Sequence, residues 1–285
     1  MLNAVNRITC FLCSLAAILM FASCGESKEA KEAKEMLAQA SLLIDEGNYE
    51  DALAVIDTIP VLYPRQVKVR QSALDLKPVA IEMLADKELQ ECQEEILRMQ
   101  QEFESAKSKM KRIDNPELVE GYWLPEGLDA TGFMSSTGIQ PRVNDDGSFG
   151  IISEVNGAGN LHHGSFTLTA PDGDTASSGT MAFDNELNYR IGNSETVTYT
   201  EEKVDTIGRF AMKHYGEKLE LTFNGENGKT RKIKLTEKET NAIADAYDMS
   251  LKQKEGKALV ARSQLLERRR ELAREQQARK KQVSK

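Results

Sequence analysis

Few residues in this 285-residue chain have the types and spacing that chemistry needs. His162-His163 could offer imidazoles to a metal. Adjacent side chains of a strand point to opposite faces, so that spacing disfavours one shared ion, and His214 is the only other histidine. Asn144-Asp145-Asp146 and Asp172-Gly173-Asp174 hold calcium-type oxygen ligands. Neither has the length or terminal Glu of an EF-hand loop, and hairpin turns account for both. Gly157-Ala158-Gly159 lacks the strand, third glycine and following helix of a dinucleotide site. Ser135, Ser136, Ser177 and Ser178 have no nucleophile-elbow context, so no Ser-His-Asp set assembles from them. Tyr122-Trp123 holds the single tryptophan, which could stack on a sugar or peptide or could serve as a core or junction aromatic. The candidate ligand-binding residues are therefore Tyr122, Trp123, His162 and His163, with the loop Asn156–Gly164. No metal site and no cofactor is expected.

All of these residues lie between 114 and 236, where glycine is frequent and β-branched residues alternate with polar ones. Asp146-Gly147, Asp172-Gly173, Asn224-Gly225 and Asn227-Gly228 mark turns. Strands are expected at Gly121–Leu124, Ile139–Val143, Phe149–Val155, Ser165–Ala170, Ser177–Ala182, Thr196–Thr200, Ile207–His214, Leu219–Asn224 and Thr230–Leu235. About nine short strands with hairpin turns predict an antiparallel β sandwich or small barrel.

Helical patterns flank that segment. Leu89, Cys92, Ile96, Met99, Phe103, Ala106, Met110 and Ile113 alternate spacings of three and four, the seam of a helix built to lie along another. Pro78 is expected to kink or divide the next helix, giving one helix near 65–76 and a long one near 79–113. Thr236 and Glu239 form a capping box. Beyond it Ala244, Tyr247, Leu251, Ala258, Ala261, Leu265 and Leu272 give a second seam, interrupted by Lys254 and Arg268. The fold class is α+β: an N-terminal helical hairpin, then a long antiparallel, coiled-coil-like helical stalk with the β domain inserted at its tip. With Ile113 set opposite Glu237, the acidic run Glu82–Glu104 faces Lys252, Lys254, Lys257, Arg262 and Arg268. Cys92 is expected to be a buried, inert thiol.

The N-terminus carries Arg7, an apolar run from Ile8 to Ala22, and then Cys24. That is a secretory signal, too short to span a membrane. Phe21-Ala22-Ser23-Cys24 resembles the lipobox of bacterial lipoproteins, with Phe where that family usually has Leu. The resemblance implies that Cys24 becomes the first mature residue and carries the lipid, and that the protein is anchored in the cell envelope, at the outer membrane. The polar, regular stretch after Cys24 reads as a frayed helix or a short tether, with residues 24–31 taken as the lipidated tether. Residues 32–78 form the next region. Ala40, Leu43, Gly47, Tyr49, Ala52 and Pro64 sit at the relative spacing of one tetratricopeptide-type unit, which the segment 32–64 resembles; Pro60 is expected to end its second helix early. One such unit cannot bury its own apolar face, so it should pack on the helix at Val67–Ile81.

Charge separates along the chain. Residues 252–285 carry a net +8 and the remainder −16. A basic tail on an acidic body excludes a nucleic-acid protein with a basic face. The stalk should return Arg268, Arg269, Arg270 and Arg274 toward the anchored end, beside Arg65, Lys68 and Arg70. There the tail should fray, lie on the acidic first helices, or contact anionic headgroups. The function expected is a non-catalytic lipoprotein presenting its β domain for protein interaction or scaffolding, as a monomer or as a dimer through the stalk. The alternatives are a β domain that binds a glycan or peptide, and an envelope hydrolase. The partners expected are the membrane, through Cys24, and an envelope protein or glycan.

Overall fold

Among the described residues, five α-helices and two antiparallel sheets give the α+β class. A computed structural model describes residues 27–114, 121–130, 133–157 and 159–283; Cys24 and the lipobox lie outside them. The helices are α1 (Lys28–Asp45), α2 (Tyr49–Leu62), α3 (Val67–Lys107), α4 (Asp205–Lys213) and α5 (Glu237–Val283). No helix among the described residues is long and apolar enough to cross a membrane. The chain divides into two compact units, Met1–Glu91 with Ser263–Lys285, and Cys92–Arg262.

In the first unit, α1 and α2 form a hairpin on the start of α3. Ala33, Ala40, Ala52, Ile59 and Ala80 are fully buried in its core. Alanine at the crossings lets the backbones approach, so the hairpin buries its face on Val69, Ala73 and Ala80 of α3. α1 begins at Lys28, inside the segment expected to be a tether, because the Ser27 hydroxyl caps it. Neither proline ends its helix. α2 runs past Pro60 to Leu62, and α3 runs through Pro78 unbroken. Proline at 78 has no N–H for the carbonyl of Leu74, four residues back. Lys280 Nζ of α5 donates to that carbonyl at 2.6 Å, and Gln277 Nε2 donates to the carbonyl of Pro78 at 3.3 Å. A tertiary donor replaces the missing local one.

α5 lies antiparallel to α3 here, and its basic side chains meet acids. Arg274 pairs with Glu82 at 2.6 Å, Arg270 with Asp86 at 3.2 Å, Arg269 with Glu88 at 3.4 Å and Lys280 with Asp75 at 2.8 Å. The helix continues to Val283 without fraying. A hydrogen bond from Arg274 is the largest influence on the Glu82 carboxyl and holds it below its ordinary pKa. Its stabilisation is therefore present above the unfolded carboxylate pKa and lost as pH falls. Arg274 is half exposed, so solvent screens the pair. Glu82→Gln should cost less than about 1 kcal/mol in urea denaturation at neutral pH; a loss above about 2 kcal/mol would contradict that screening.

Among its described residues the second unit holds ten strands: β1 (Met110–Ile113), β2 (Tyr122–Pro125), β3 (Gly138–Asn144), β4 (Phe149–Asn156), β5 (Ser165–Thr169), β6 (Thr175–Ser177), β7 (Asn188–Ile191), β8 (Ser194–Thr200), β9 (Glu220–Asn224) and β10 (Thr230–Lys234). One sheet has the order β1-β2-β3-β4-β8-β7 and the other β10-β9-β5-β6. Phe149, Ile151, Val155, Val197 and Tyr199 of the first share a core with Phe166, Leu168, Leu221 and Phe223 of the second. Ile207, Phe210 and Ala211 of α4 join this core, as do Ile243, Ala246 and Met249 of α5. Within this unit Cys92 is fully buried and its Sγ donates to the Leu259 carbonyl at 3.4 Å.

Several expected elements are different. Ile207–His214 is not a strand: Ile207, Phe210, Ala211 and His214 repeat at helical spacing and all are buried. Of Ser177–Ala182, only Ser177 is in a strand. The stretch after it follows β5 irregularly, with Ser178 N–H donating to Phe166 and Met181 N–H to Gly164. The helix expected to reach Ile113 stops at Lys107. Met110 keeps its apolar contact as a core residue of β1, paired with β2. The seam read on α5 holds at Ala244 and Tyr247, both buried, and from Leu251 onward is displaced by one residue. Leu251, Leu265 and Leu272 are exposed, whereas Leu266 and Ala273 are buried. Leu259, Leu266 and Ala273 repeat every seven residues just as Ala258, Leu265 and Leu272 do, so periodicity could not choose between them. Arg270 and Gln277, on the inward side, serve ion pairing and the Pro78 carbonyl rather than apolar packing.

Candidate functional site

The structure separates the four candidate ligand residues. Tyr122 and Trp123 sit on β2, opposite Asn144 and Val143 of β3. The loop 156–164 leaves the other end of the same sheet, where Glu154 faces Gly138. Six residues of strand, roughly 20 Å, lie between those ends. The faces of both aromatic rings are also occupied by the protein's own cations. Arg142 lies 4.2 Å from the Tyr122 ring, and Lys107 and Arg112 lie 5.3 and 5.5 Å from that of Trp123. Neither is an open stacking platform.

His162 and His163 belong to a loop, not a strand. His162 has φ of 53°, which turns the two imidazoles into different surroundings. Glu195 of β8 holds the loop: its carboxylate accepts from the backbone N–H of His162 at 2.6 Å and of His163 at 2.8 Å, and from His163 Nδ1 at 3.0 Å. His163 Nε2 is 2.7 Å from Ser153 Oγ. Burial, the largest influence, pushes the His163 imidazole below its ordinary pKa against the pull of Glu195. Burial also works to raise Glu195, but the hydrogen bonds from both histidines outweigh it and hold the carboxylate low. His163 is therefore neutral, Nδ1 carries the proton toward Glu195, and Ser153 donates to Nε2.

This is the polarity of a nucleophile–base–acid relay. Ser153 and His163 are both fully buried, and the ring of Phe223 packs 5.4 Å from that of His163. No substrate reaches the hydroxyl in this arrangement, which serves to fix the loop. Ser153 is hidden in sequence because it sits inside a strand. The available signal was a serine on the core-facing row Phe149, Ile151, Ser153, Val155.

His162 faces outward, into a groove of about 390 Å³ between the edge strand β7 and the ends of β5 and β9. His162 Nδ1 is 3.1 Å from Glu226 Oε2 on one wall. On the other, the Arg190 guanidinium lies 4.1 Å from the Phe183 ring centre. Gly225 forms part of the floor. A β-carbon there would fall 2.1 Å from the Leu161 carbonyl, so only glycine lets the loop close over the end of β9.

Asn188 also lines the groove and is only 2% exposed. Its Nδ2 donates to the Met181 carbonyl at 2.9 Å, which fixes the amide orientation. Its Oδ1 accepts from nothing, and the buried Arg190 Nε donates to nothing. Buried polar atoms are nearly always paired; these two have no accessible surface, so they lie behind the groove's wall and not on it. Asp184 builds the adjacent turn by accepting from the N–H groups of Asn188, Glu186 and Leu187 at 2.8–2.9 Å. Those bonds, that of Asn188 foremost, hold its pKa low. Nothing in Asp184–Arg190 marks it as a site in sequence.

Among the described residues no three His, Cys, Asp or Glu side chains converge as a metal site. Of the cations proposed for membrane contact, Arg269, Arg270 and Arg274 are paired with carboxylates, and Arg268 borders a hollow lined by Ile81, Leu265 and Leu272. No family model, curated protein or solved structure matches the chain.

Proposed function

We propose that this chain is a non-catalytic lipoprotein, anchored in the envelope through Cys24, whose β domain binds a small polar ligand in the groove at β7. The observation that carries this reading is the groove itself, lined by polar side chains of His162, Ser165, Thr180 and Asn224 beside the Phe183 ring. The volume, about 390 Å³, falls at the small end of ligand sites. The burial of Ser153 supports the non-catalytic part. The anchor rests on Phe21-Ala22-Ser23-Cys24.

The test is a thermal-shift panel of saccharides, short peptides and small anions on the unlipidated mature chain. A ligand at a hundred times its Kd adds about 2.7 kcal/mol, a rise of several degrees for a chain of this size. Thr180→Trp, at an exposed groove position, should leave the unliganded Tm unchanged and abolish the shift. A panel without any shift, or a shift that survives Thr180→Trp, overturns the groove as the site. Separately, Cys24→Ala should move the protein from the membrane fraction to the soluble one, and full retention would place the anchor elsewhere.

A further inference from the structure

The first unit carries a surface of its own, apart from the groove. We infer that the turn between α2 and α3 docks on an anionic bilayer, beside the lipid on Cys24. The lipid reading enters only in deciding which end of the hairpin faces the membrane.

The turn presents the residue types that a bilayer surface takes. Val61 and Leu62 close α2 and are 74% and 57% exposed; Val67 opens α3 and is 69% exposed. They flank the four residues 63–66, and clustered exposed apolar side chains mark an interaction surface. Arg65 and Lys68 stand among them, exposed and in no ion pair among the described residues. From Thr58 to Leu74 the chain holds no acid. The start of α1 does not offset these cations. Residues 28–35 hold three Lys and three Glu, with Lys28 on Glu32 at 3.7 Å and Lys31 on Glu35 at 3.9 Å. The cations of α5 differ, because Arg269, Arg270, Arg274 and Lys280 are matched by acids of α3. The turn is also held in shape. Gln66 N–H donates to the Tyr63 carbonyl at 3.1 Å, Arg70 Nη1 donates to the Pro64 carbonyl at 2.7 Å, and Tyr63 packs on the hairpin core.

Its place in the hairpin selects the bilayer as partner. Gly47, at φ of 79°, turns the chain between α1 and α2, and Ala33 near the start of α1 shares a core with Ile59 near the end of α2. The two helices are therefore antiparallel. With 18 and 14 residues they are about 27 and 21 Å long, so the start of α1 lies at the same end as Val61 and Leu62. Cys24 precedes the Ser27 cap by three residues, at most about 11 Å of chain. A lipid on Cys24 brings that end to the membrane, where apolar side chains enter the headgroup boundary and cations meet anionic headgroups. Three apolar side chains and a turn fall well short of the roughly 800 Å² per partner of a stable protein interface.

The experiment is vesicle flotation of the mature chain without its lipid, so that binding does not depend on the anchor. It should float with vesicles of phosphatidylcholine mixed with phosphatidylglycerol, less so as salt rises, and hardly at all with phosphatidylcholine alone. Arg65→Glu with Lys68→Glu should weaken binding tenfold or more, at about fivefold or more per cation. Val61→Ser with Leu62→Ser should weaken it fivefold or more. All four positions are exposed, so Tm should not move. Arg268→Gln, on α5, should leave binding unchanged. A Val61→Trp reporter should shift its emission to the blue on anionic vesicles, and Leu42→Trp, at the opposite end of the hairpin, should not. Absence of flotation with anionic vesicles overturns the inference, as does flotation that survives both double substitutions. Self-association that Val61→Ser with Leu62→Ser abolishes, without vesicle binding, gives the surface to a second copy instead. The anchor stands or falls separately, on the fractionation of Cys24→Ala.

Discussion

Glu195→Ala should cost roughly 3–5 kcal/mol, the range for removing one partner of a buried charged network. The carboxylate accepts three donors, the backbone N–H groups of His162 and His163 and the ring Nδ1 of His163, and it is 3% exposed. Alanine removes the acceptor from all three donors. Glu195→Gln keeps the shape but turns an amide group toward donors, so it should fall between alanine and wild type. Urea denaturation of the three proteins measures this, and a cost for alanine below about 1 kcal/mol would show that the loop does not depend on Glu195.

The same network sets a pH dependence. Burial places the folded pKa of His163 below the unfolded value of about 6.5, so as pH falls the unfolded chain takes up this proton first. The contribution is complete above pH ~6.5 and is lost below it, at no more than about 1.4 kcal/mol per pH unit for one proton. Glu195 is held low as well, so its share is present above the unfolded carboxylate pKa of about 4.3 and is lost as pH falls further. His163→Gln should flatten the limb between pH 6.5 and 4.5 and leave the acid limb standing. An unchanged slope there would assign the titration to another group.

The strands that were legible in sequence were those with a strong local rule. Leu221 and Phe223 alternate before a glycine-rich turn, and β9 and β10 pair as expected. The Thr236–Glu239 capping box forms, Thr236 N–H donating to Glu239 Oε2 at 2.7 Å. What failed was decided by partners distant in sequence. Pro78 reads as a breaker until Lys280 supplies its lost donor. The choice between adjacent heptad rows of α5 depends on which row meets α3, and both rows have the same period. The groove was legible only at His162. Asn188 and Arg190 reach the groove wall through the pairing of β7 with β8 and the turn built on Asp184, which no local pattern announces.

Packing of α4 on α5 gives the second large effect. Gly208 of α4 faces the Tyr247 ring so closely that a β-carbon would sit 2.3 Å from two ring carbons. The ring has little room to yield. Its hydroxyl donates to Asp205 Oδ1 at 2.5 Å, and its edge meets Phe149 with centroids 5.2 Å apart. Burial first, and the Asp205 carboxylate second, push the phenol pKa up to about 12. Two effects oppose each other at Gly208→Ala. Helix propensity favours alanine by about 1 kcal/mol, whereas overpacking a filled core costs about 1–3 kcal/mol. The contact is far inside van der Waals distance on an anchored ring, so overpacking should win, for a net loss of about 1–2 kcal/mol. Gly208→Val adds branched bulk and loses the propensity gain, and should lose about 3 kcal/mol or more. The steric origin is tested by a cycle with Tyr247→Leu. Removing the ring should relieve Gly208→Ala, with a coupling of about 1 kcal/mol or more between the two sites. Additive losses would put the cost of alanine somewhere other than the ring. A stabilising Gly208→Ala would show that the two helices stand farther apart than this contact requires.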